Sequence, residues 1–528
     1  MSLNLGQIVD HGRLAFPRET ALIHSDTRFS YEQLGARVRR MARLLVERGV
    51  RPGDKVAVMI PNRPEFTISY FAILYAGAVV VPLNILLVAD EVAYALTDSD
   101  AVAIVVWAPL EAGVRAFQRV PSCRMLIVAG GTSDVGSPSE ALCFEAEQEH
   151  GLEAGEMVQT MPDDTAVILY TSGTTGKPKG AELTHFNLYF NALCVSERQF
   201  TSWPTHVNVF GPGHVGLAVL PLYHSFGQTA VQNGMLFGGA ALRTIERFDP
   251  EQALSAIERD RISFFAGVPT MYFAILAVPE AEKRFDTSSL QFCVSGGAAL
   301  PVEVKRKFER RFGVRIQEAY GLSETSPLAC SQGVDRTEKA GSIGRPIWGI
   351  EMMIGDETTR PVPVGQTGEV LIRGHNIMKG YYKRPEATAE AMRGGWFHSG
   401  DIGRVDVDGD YYIVDRKKDL IIRGGFNVYP REVEEVLYQH PAVREAAVVW
   451  VPHEKYGEEV KAVIALHAGQ SAMPEEIIAY CKEHLAAFKY PRIVTIVDAL
   501  PKGPTGKILR RELRAGESSV ADPQSIGG

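Results

Sequence analysis

After Ser30-Tyr31-Glu32-Gln33, apolar residues recur every three to four positions, at Leu34, Val38, Met41 and Leu45. That period is helical, Ser30 and Gln33 make a capping-box pair, and Gly49 offers a stop, so the pattern predicts an amphipathic helix. Compact β-rich runs follow at Lys55–Ile60, Ala101–Trp107 and Met125–Val128, with helical patterns around Glu65–Ala76 and Glu91–Thr97. Strands spaced by helices predict α/β layers with largely parallel sheets. The longest apolar stretch, Tyr70 to Val81, ends at Pro82 and is too short to cross a bilayer. It reads as a buried helix that turns at Gly77 into a strand, Val79–Val81. Gly130–Glu140 is small and polar, a surface loop.

The pattern changes near residue 400. Asp406-Val407-Asp408-Gly409-Asp410 sets an Asp-Gly turn between extended runs, a hairpin signal. A charged run, Asp415-Arg416-Lys417-Lys418-Asp419, comes next. Beyond it lie a helix (Pro430–Gln439), strands (Ala446–Val451, Val460–His467) and a second helix (Glu475–Ala486), enough chain for a small domain. The expected fold class is α/β. Residues 1–417 form a large N-terminal domain of layered α/β sheets plus a β-subdomain, residues 418–514 a small, mobile α+β domain, and residues 515–528 a disordered tail.

Composition narrows the class of protein. A chain of 528 residues needs several folding units, and 45% apolar with 22% charged residues excludes wholesale disorder. Lys and Arg number 55 against 63 Asp and Glu, a net charge of −8, so nucleic acid and anionic membranes are poor partners. Six dispersed cysteines without metal-ligand spacing read as reduced thiols, in keeping with a cytoplasmic protein. The first residues lack the basic and apolar regions of a signal peptide, and no transmembrane segment is expected.

The most informative segment is Tyr170-Thr171-Ser172-Gly173-Thr174-Thr175-Gly176-Lys177-Pro178-Lys179-Gly180, which follows the apolar strand Ala166–Leu169. Its glycines let backbone approach an anion, its hydroxyls donate to phosphate oxygens, and its lysines bring charge. The glycine spacing, and Pro178 after Lys177, exclude a Walker A loop. This is a phosphate-handling loop of another kind.

The segment resembles the signature loop of the adenylate-forming superfamily: acyl-CoA synthetases, peptide-synthetase adenylation domains and beetle luciferases. The resemblance continues in order through Leu220–Gly227, Ser295–Ala298, Glu318–Thr325, Gly400-Asp401, Asp415–Asp419 and Pro501–Ile508, covering roughly residues 15–513. It implies an enzyme that joins a carboxylate to ATP, releases pyrophosphate, and passes the acyl group from AMP to a thiol, with Mg²⁺ assisting and coenzyme A as co-substrate. By resemblance, Thr171, Ser172, Gly173, Thr174, Thr175, Gly176 and Lys177 would hold the phosphates. Gly297, Ala298, Glu318, Ala319, Tyr320, Ser323, Asp401 and Arg416 would hold the nucleotide. Tyr320 offers a face for adenine, Ser323 stands where the family more often has Thr, and the Asp401 carboxylate fits a ribose diol.

The resemblance further assigns Glu324 to the metal, with Thr171 sharing it, and Lys507 to the reacting carboxylate and α-phosphate. Lys418 would be the hinge, and Gly424 and Gly425 would line a coenzyme A channel. His224, Phe226, Gly227 and Gly296 would bound the acyl pocket, with His224 either meeting the substrate carboxylate or serving in gating or packing. His185 is expected to pack rather than react. Small residues at 296–298 leave room, which favours an apolar acyl or aryl acid over acetate, and the resemblance to fatty-acid-type acyl-CoA ligases makes a medium- or long-chain fatty acid the expected substrate. An aryl acid, a carrier-protein thiol in place of coenzyme A, a luciferase-like second step, and a non-catalytic nucleotide-binding relative are the alternatives. Oligomeric state is open, with a homodimer as one option, and the loop Ser202–Gly216 has no assignment.

Overall fold

The computed structural model describes residues 2–131, 141–171, 177–196, 209–332, 339–503 and 506–515. Among them the fold is mixed α/β, and the chain divides into two compact units. One comprises Met1–Ala298, Phe308–Met352 and Leu371–His398; the other comprises Ala299–Lys307, Met353–Val370 and the chain from Ser399. The second unit thus takes in Ser399–Lys417, ahead of the expected boundary at Lys418.

The first unit carries two large sheets. An eight-stranded sheet runs Gly380–Tyr381, Lys179–Thr184, Thr165–Thr171, Val79–Pro82, Lys55–Met59, Ala101–Trp107, Met125–Ala129 and Leu142–Cys143. From Thr165–Thr171 to Leu142–Cys143 neighbours are parallel, whereas Lys179–Thr184 turns back antiparallel on Thr165–Thr171. A nine-stranded sheet has five consecutive parallel pairings, joining Thr20–His24, Ala241–Thr244, Val215–Ala218, Phe264–Gly267, Phe292–Ser295 and Ile316–Gly321.

The local forces are those the pattern predicts. The helix Tyr31–Glu47 has both halves of its capping box, Ser30 accepting from the Gln33 N–H and Gln33 accepting from the Ser30 N–H. Leu34, Val38, Met41 and Leu45 are all buried. Pro64–Tyr75 is buried at every position but Glu65, and Gly77 turns at φ +72° into the strand Val79–Pro82. A fully covered sheet of this kind reads as unbroken apolar runs rather than alternation.

In the second unit, Phe397–Val405 and Tyr411–Arg416 pair antiparallel around the expected hairpin, with the Asp406 N–H donating to the Asp410 carbonyl at 3.0 Å. They belong to a four-stranded sheet with Ile350–Gly355 and Gly368–Gly374, so the β-subdomain expected within residues 1–417 falls mostly in the second unit. The chain after Lys418 builds its own sheet from Phe426–Val428, Ile421–Arg423, Gly457–Leu466 and Val443–His453, with Ile493–Ile496 parallel to Gly457–Leu466. Helices Pro430–Leu437 and Pro474–His484 cover it around Val433, Leu437, Val448, Ile464 and Ile477. Most of the Gly130–Glu140 loop, Ser202–Asn208 and the tail after Ala515 lie outside the described residues. Val215 and Gly216, at the end of the unassigned loop, belong to a strand of the nine-stranded sheet. No helix among the described residues is long and apolar enough to cross a membrane.

Candidate active site

Parallel strands deliver the candidate residues of the first unit. Thr165–Thr171 ends at Thr171, Val215–Ala218 leads into Leu220–Gly227, Phe292–Ser295 leads into Gly296–Ala298, and Ile316–Gly321 carries Glu318, Ala319 and Tyr320. Apart from Glu318 and Ala319, which lie within their strand, these residues stand at or beyond the carboxyl ends of the strands, where open α/β sheets bind ligands.

Thr171 and Glu324 meet: Thr171 Oγ1 donates to Glu324 Oε1 at 3.3 Å. Glu324 sits in a single 3₁₀ turn, Ser323–Thr325, fixed when Thr325 Oγ1 accepts from the Leu322 N–H and donates to the Pro327 carbonyl. Its backbone carbonyl accepts from the Met378 N–H. Ser323 Oγ lies 3.4 Å from Ser225 Oγ. Across the base of the loop expected to handle phosphate Thr171 pairs with Lys179, while Ser172, Gly173, Thr174, Thr175 and Gly176 lie outside the described residues. Lys177 is exposed, its ammonium over the Tyr94 ring, and Lys179 lies over Tyr381.

Tyr381, which sequence reasoning missed, donates its hydroxyl to the same Glu324 oxygen at 3.0 Å. Its two-residue strand pairs with Lys179–Thr184, Tyr381 opposite Ala181. Burial, and then the Glu324 charge, push the phenol far above its ordinary range, so it stays a donor. Nothing in Gly380-Tyr381-Tyr382 marks this role locally; only the strand pairing reveals it.

Gly296 abuts the Phe226 ring: a Cβ there would lie 3.0 Å from Phe226 Cε1. Gly297 has φ +78°, and both it and Ala298 are exposed. Gly227 is buried, and a Cβ would come within 2.3 Å of the Pro221 carbonyl oxygen, so its small size serves close backbone packing. The matched segment Leu220–Gly227 leads into a π-helix, Phe226–Asn233, an irregular turn type frequent at functional sites. His224 is exposed just ahead of it, its carbonyl accepting from the Gln228 N–H. His185 packs, as expected: it is buried, Nδ1 accepts from the Leu5 N–H at 3.0 Å, and burial lowers its imidazole to about 4.

In the second unit, Asp401 is buried and its Oδ1 lies 3.1 Å from Arg416 Nε across the paired strands. Gly400 enters this position at φ +72°, and its N–H donates to Glu369. Lys418 is exposed in the turn after Arg416. Lys507 is exposed by surface area but crowded by neighbouring groups. Desolvation first, then Arg416, with smaller contributions from Arg510 and Lys418, lowers its ammonium to about 8, against the pull of Asp401. The structure therefore brings Asp401, Arg416, Lys418 and Lys507 into one electrostatic neighbourhood. Gly424 and Gly425 form the two-residue turn of the hairpin Ile421–Arg423/Phe426–Val428, with φ of +57° and +85°. That turn by itself calls for glycine at both positions.

A lone carboxylate flanked by hydroxyls suits a hard cation that completes its shell with phosphate and water oxygens. No cluster of three acidic, histidine or cysteine ligands occurs among the described residues. Glu324 with Thr171 therefore fits Mg²⁺ held jointly with a nucleotide.

Residues 11–382 match the AMP-binding enzyme family and residues 432–507 its C-terminal domain, so the chain belongs to this adenylate-forming family. It is an AMP-forming acid–thiol ligase, an ATP-binding acyl-CoA synthetase. The chain is 36% identical to a long-chain-fatty-acid–CoA ligase of Bacillus subtilis (strain 168), over 96% of this chain and 94% of that one. It is 38% identical to a feruloyl-CoA synthase of an Amycolatopsis species, over 94% and 96% of the two chains. Among solved structures it resembles the anthranilate CoA ligase AuaEII in complex with anthranoyl-AMP, with TM-score 0.89, 28% identity and coverage of 98% and 97%.

Proposed function

We propose that this acyl-CoA synthetase activates an apolar carboxylic acid, a medium- or long-chain fatty acid, and transfers it to coenzyme A. In the first step a carboxylate oxygen attacks the α-phosphorus of ATP, the bond to the β-phosphate bridge oxygen breaks, and pyrophosphate leaves. In the second the coenzyme A thiol, losing its proton, attacks the acyl carbonyl and AMP leaves. Two anions must meet in the first step, so the protein's task is charge neutralisation and positioning.

The observation that carries the reading is the convergence of Thr171 and Glu324 at the carboxyl ends of two different sheets. In this reading the loop from Thr171 to Lys177 holds the β- and γ-phosphates. Glu324 and Thr171 hold Mg²⁺, which when bound supplies positive charge to the phosphate oxygens. Tyr320 stacks on adenine, with Gly297, Ala298, Glu318 and Ala319 around it and Ser323 on the α-phosphate. Asp401 takes the ribose diol, aided by Arg416. Lys507 neutralises the carboxylate–phosphate encounter, and its domain, residues 418–514, pivots at Lys418 before thioester formation. Gly424 and Gly425 then flank the pantetheine arm.

His224, Phe226, Gly227 and Gly296 border the acyl chain. An aryl acid is the second reading, favoured by the feruloyl-CoA synthase relative.

A pyrophosphate-release screen tests both readings, using acids of rising chain length and ferulate-type acids, each with and without coenzyme A. Turnover rising with chain length and requiring coenzyme A supports the first reading; preference for aryl acids selects the second. Acyl-AMP accumulating beside unused coenzyme A would point instead to a carrier-protein thiol.

A further inference from the structure

The second unit holds a set of contacts that crosses the pivot. Before Lys418, strand Tyr411–Arg416 presents the Ile413 carbonyl and the buried Asp415 carboxylate. After it, Arg431, in the first turn of helix Pro430–Leu437, donates its backbone N–H to Asp415 Oδ2 at 3.1 Å and its guanidinium to the Ile413 carbonyl. Arg510, three residues beyond Lys507, adds a guanidinium nitrogen 3.5 Å from Asp415 Oδ1. The Arg416 N–H donates to that same oxygen at 2.7 Å.

The remaining ion pairs of this cluster stay on one side of the pivot. Arg510 holds Glu434 through two contacts of 2.7 and 2.8 Å, and Arg514 holds Asp419 at 2.6 Å. A rotation about Lys418 would therefore leave Arg510 and Arg514 paired while stripping Asp415 of Arg431 and Arg510. Arg431 would keep only Glu435, at 4.0 Å, and Asp415 only the Arg416 N–H, so opening is resisted by the charges it leaves poorly paired. While it is closed, Lys507 stays in the neighbourhood of Asp401 and Arg416.

We propose that Asp415 is a positioning residue, a latch across the pivot that holds the small domain in the arrangement serving adenylate formation and must release before thioester formation. The proposal rests on the two-step reading above and on Lys418 as pivot. It follows that loosening the latch shifts population between two arrangements and moves the two partial reactions apart, because a ligand or step is favoured only through the state it uses.

The test is Asp415→Asn, which keeps the side-chain shape and removes the charge. Acid-dependent ATP–pyrophosphate exchange should fall about tenfold, the scale of one lost charge-assisted hydrogen bond. Thioester formation from supplied acyl-AMP should hold or rise. Arg431→Gln, which lacks the guanidinium on Ile413, should shift the same ratio in the same direction. Equal losses in both partial reactions, or unchanged exchange, would overturn the latch.

A readout independent of catalysis uses spin labels at Val407→Cys, in the hairpin before the pivot, and Met473→Cys after it, in a Cys143→Ser background. Both positions are exposed, as is Cys143. Asp415→Asn should broaden or displace the distance distribution, and an unchanged distribution overturns the latch. A wild-type enzyme without any acid-dependent exchange would overturn the catalytic reading instead, and the label distances would still decide the latch.

Discussion

Tyr381 and Thr171 both donate to one oxygen of Glu324, at 3.0 and 3.3 Å. Two donors on one oxygen orient the carboxylate and stabilise its charge. Tyr381→Phe removes one charge-assisted hydrogen bond, about 1.5–3 kcal/mol, while the ring keeps its place under Lys179. The KM for ATP should rise about tenfold or more, with little change in melting temperature. Unaltered steady-state kinetics would show that the hydroxyl contributes nothing to nucleotide binding.

In the proposed mechanism Lys507 neutralises the carboxylate–phosphate encounter, and its lowered ammonium would then set a pH limit on the first step. Only its protonated form offsets the incoming anions, so kcat/KM for ATP in adenylate formation should decline as pH rises through about 8. Arg416→Gln removes a like charge and should carry that decline to higher pH. Lys507→Ala should abolish it, lower acyl-AMP formation by about 10²–10³, and largely spare thioester formation from supplied acyl-AMP. Stopped-flow pyrophosphate release and a separate thioester assay distinguish the two steps.

His185 makes stability depend on mild acid. Its imidazole titrates at about 4 in the fold, against about 6.5 unfolded, so between those values the unfolded chain binds the extra proton. Stability should therefore fall as pH drops from about 6.5 towards 4, by about 3 kcal/mol in all. His185→Asn can still accept from the Leu5 N–H, and should flatten this dependence in urea melts compared at pH 7 and pH 5. A slope as steep as that of the wild type would assign the effect elsewhere.

At the end of strand Ile316–Gly321, Gly321 leaves no room for a side chain. A Cβ there would lie 1.6 Å from the Pro327 carbonyl oxygen. Gly321→Ala must displace the 3₁₀ turn bearing Ser323 and Glu324. Pyrophosphate exchange should drop at least about tenfold, with about 2 kcal/mol or more lost from stability, as for other forced backbone strain. The matching control is Gly365→Ala: its φ of +87° carries strain but no neighbour lies within 4 Å, and activity should persist.

Local patterns reached far into this molecule. The capping box at Ser30, the buried run ending at Gly77 and the Asp406–Asp410 hairpin each depend on neighbours within a few residues, and each stands where the pattern puts it. The π-helix at Phe226 does not show, because Gly227–Asn233 is buried on every side and carries no polar face from which π winding could be told from α. Tyr381 and Asp415 were equally silent. Their roles come from partners 57 residues away in one case and 16 and 95 in the other, distances over which no periodicity speaks. The resemblance assigns Gly424 and Gly425 to a coenzyme A channel, and the hairpin turn independently calls for glycine at both positions.

The borders of the two large sheets have a consequence for life in a crowded solution. The eight-stranded sheet is flanked by Gly380–Tyr381 and Leu142–Cys143, two residues each, and the nine-stranded sheet by Arg345–Pro346 and the four-residue Thr27–Ser30. Such stubs, one carrying a proline, give a passing chain almost no ladder to extend. Among the described residues, the seventeen strands of these two sheets are thereby assembled behind short borders that offer another chain little backbone to pair with.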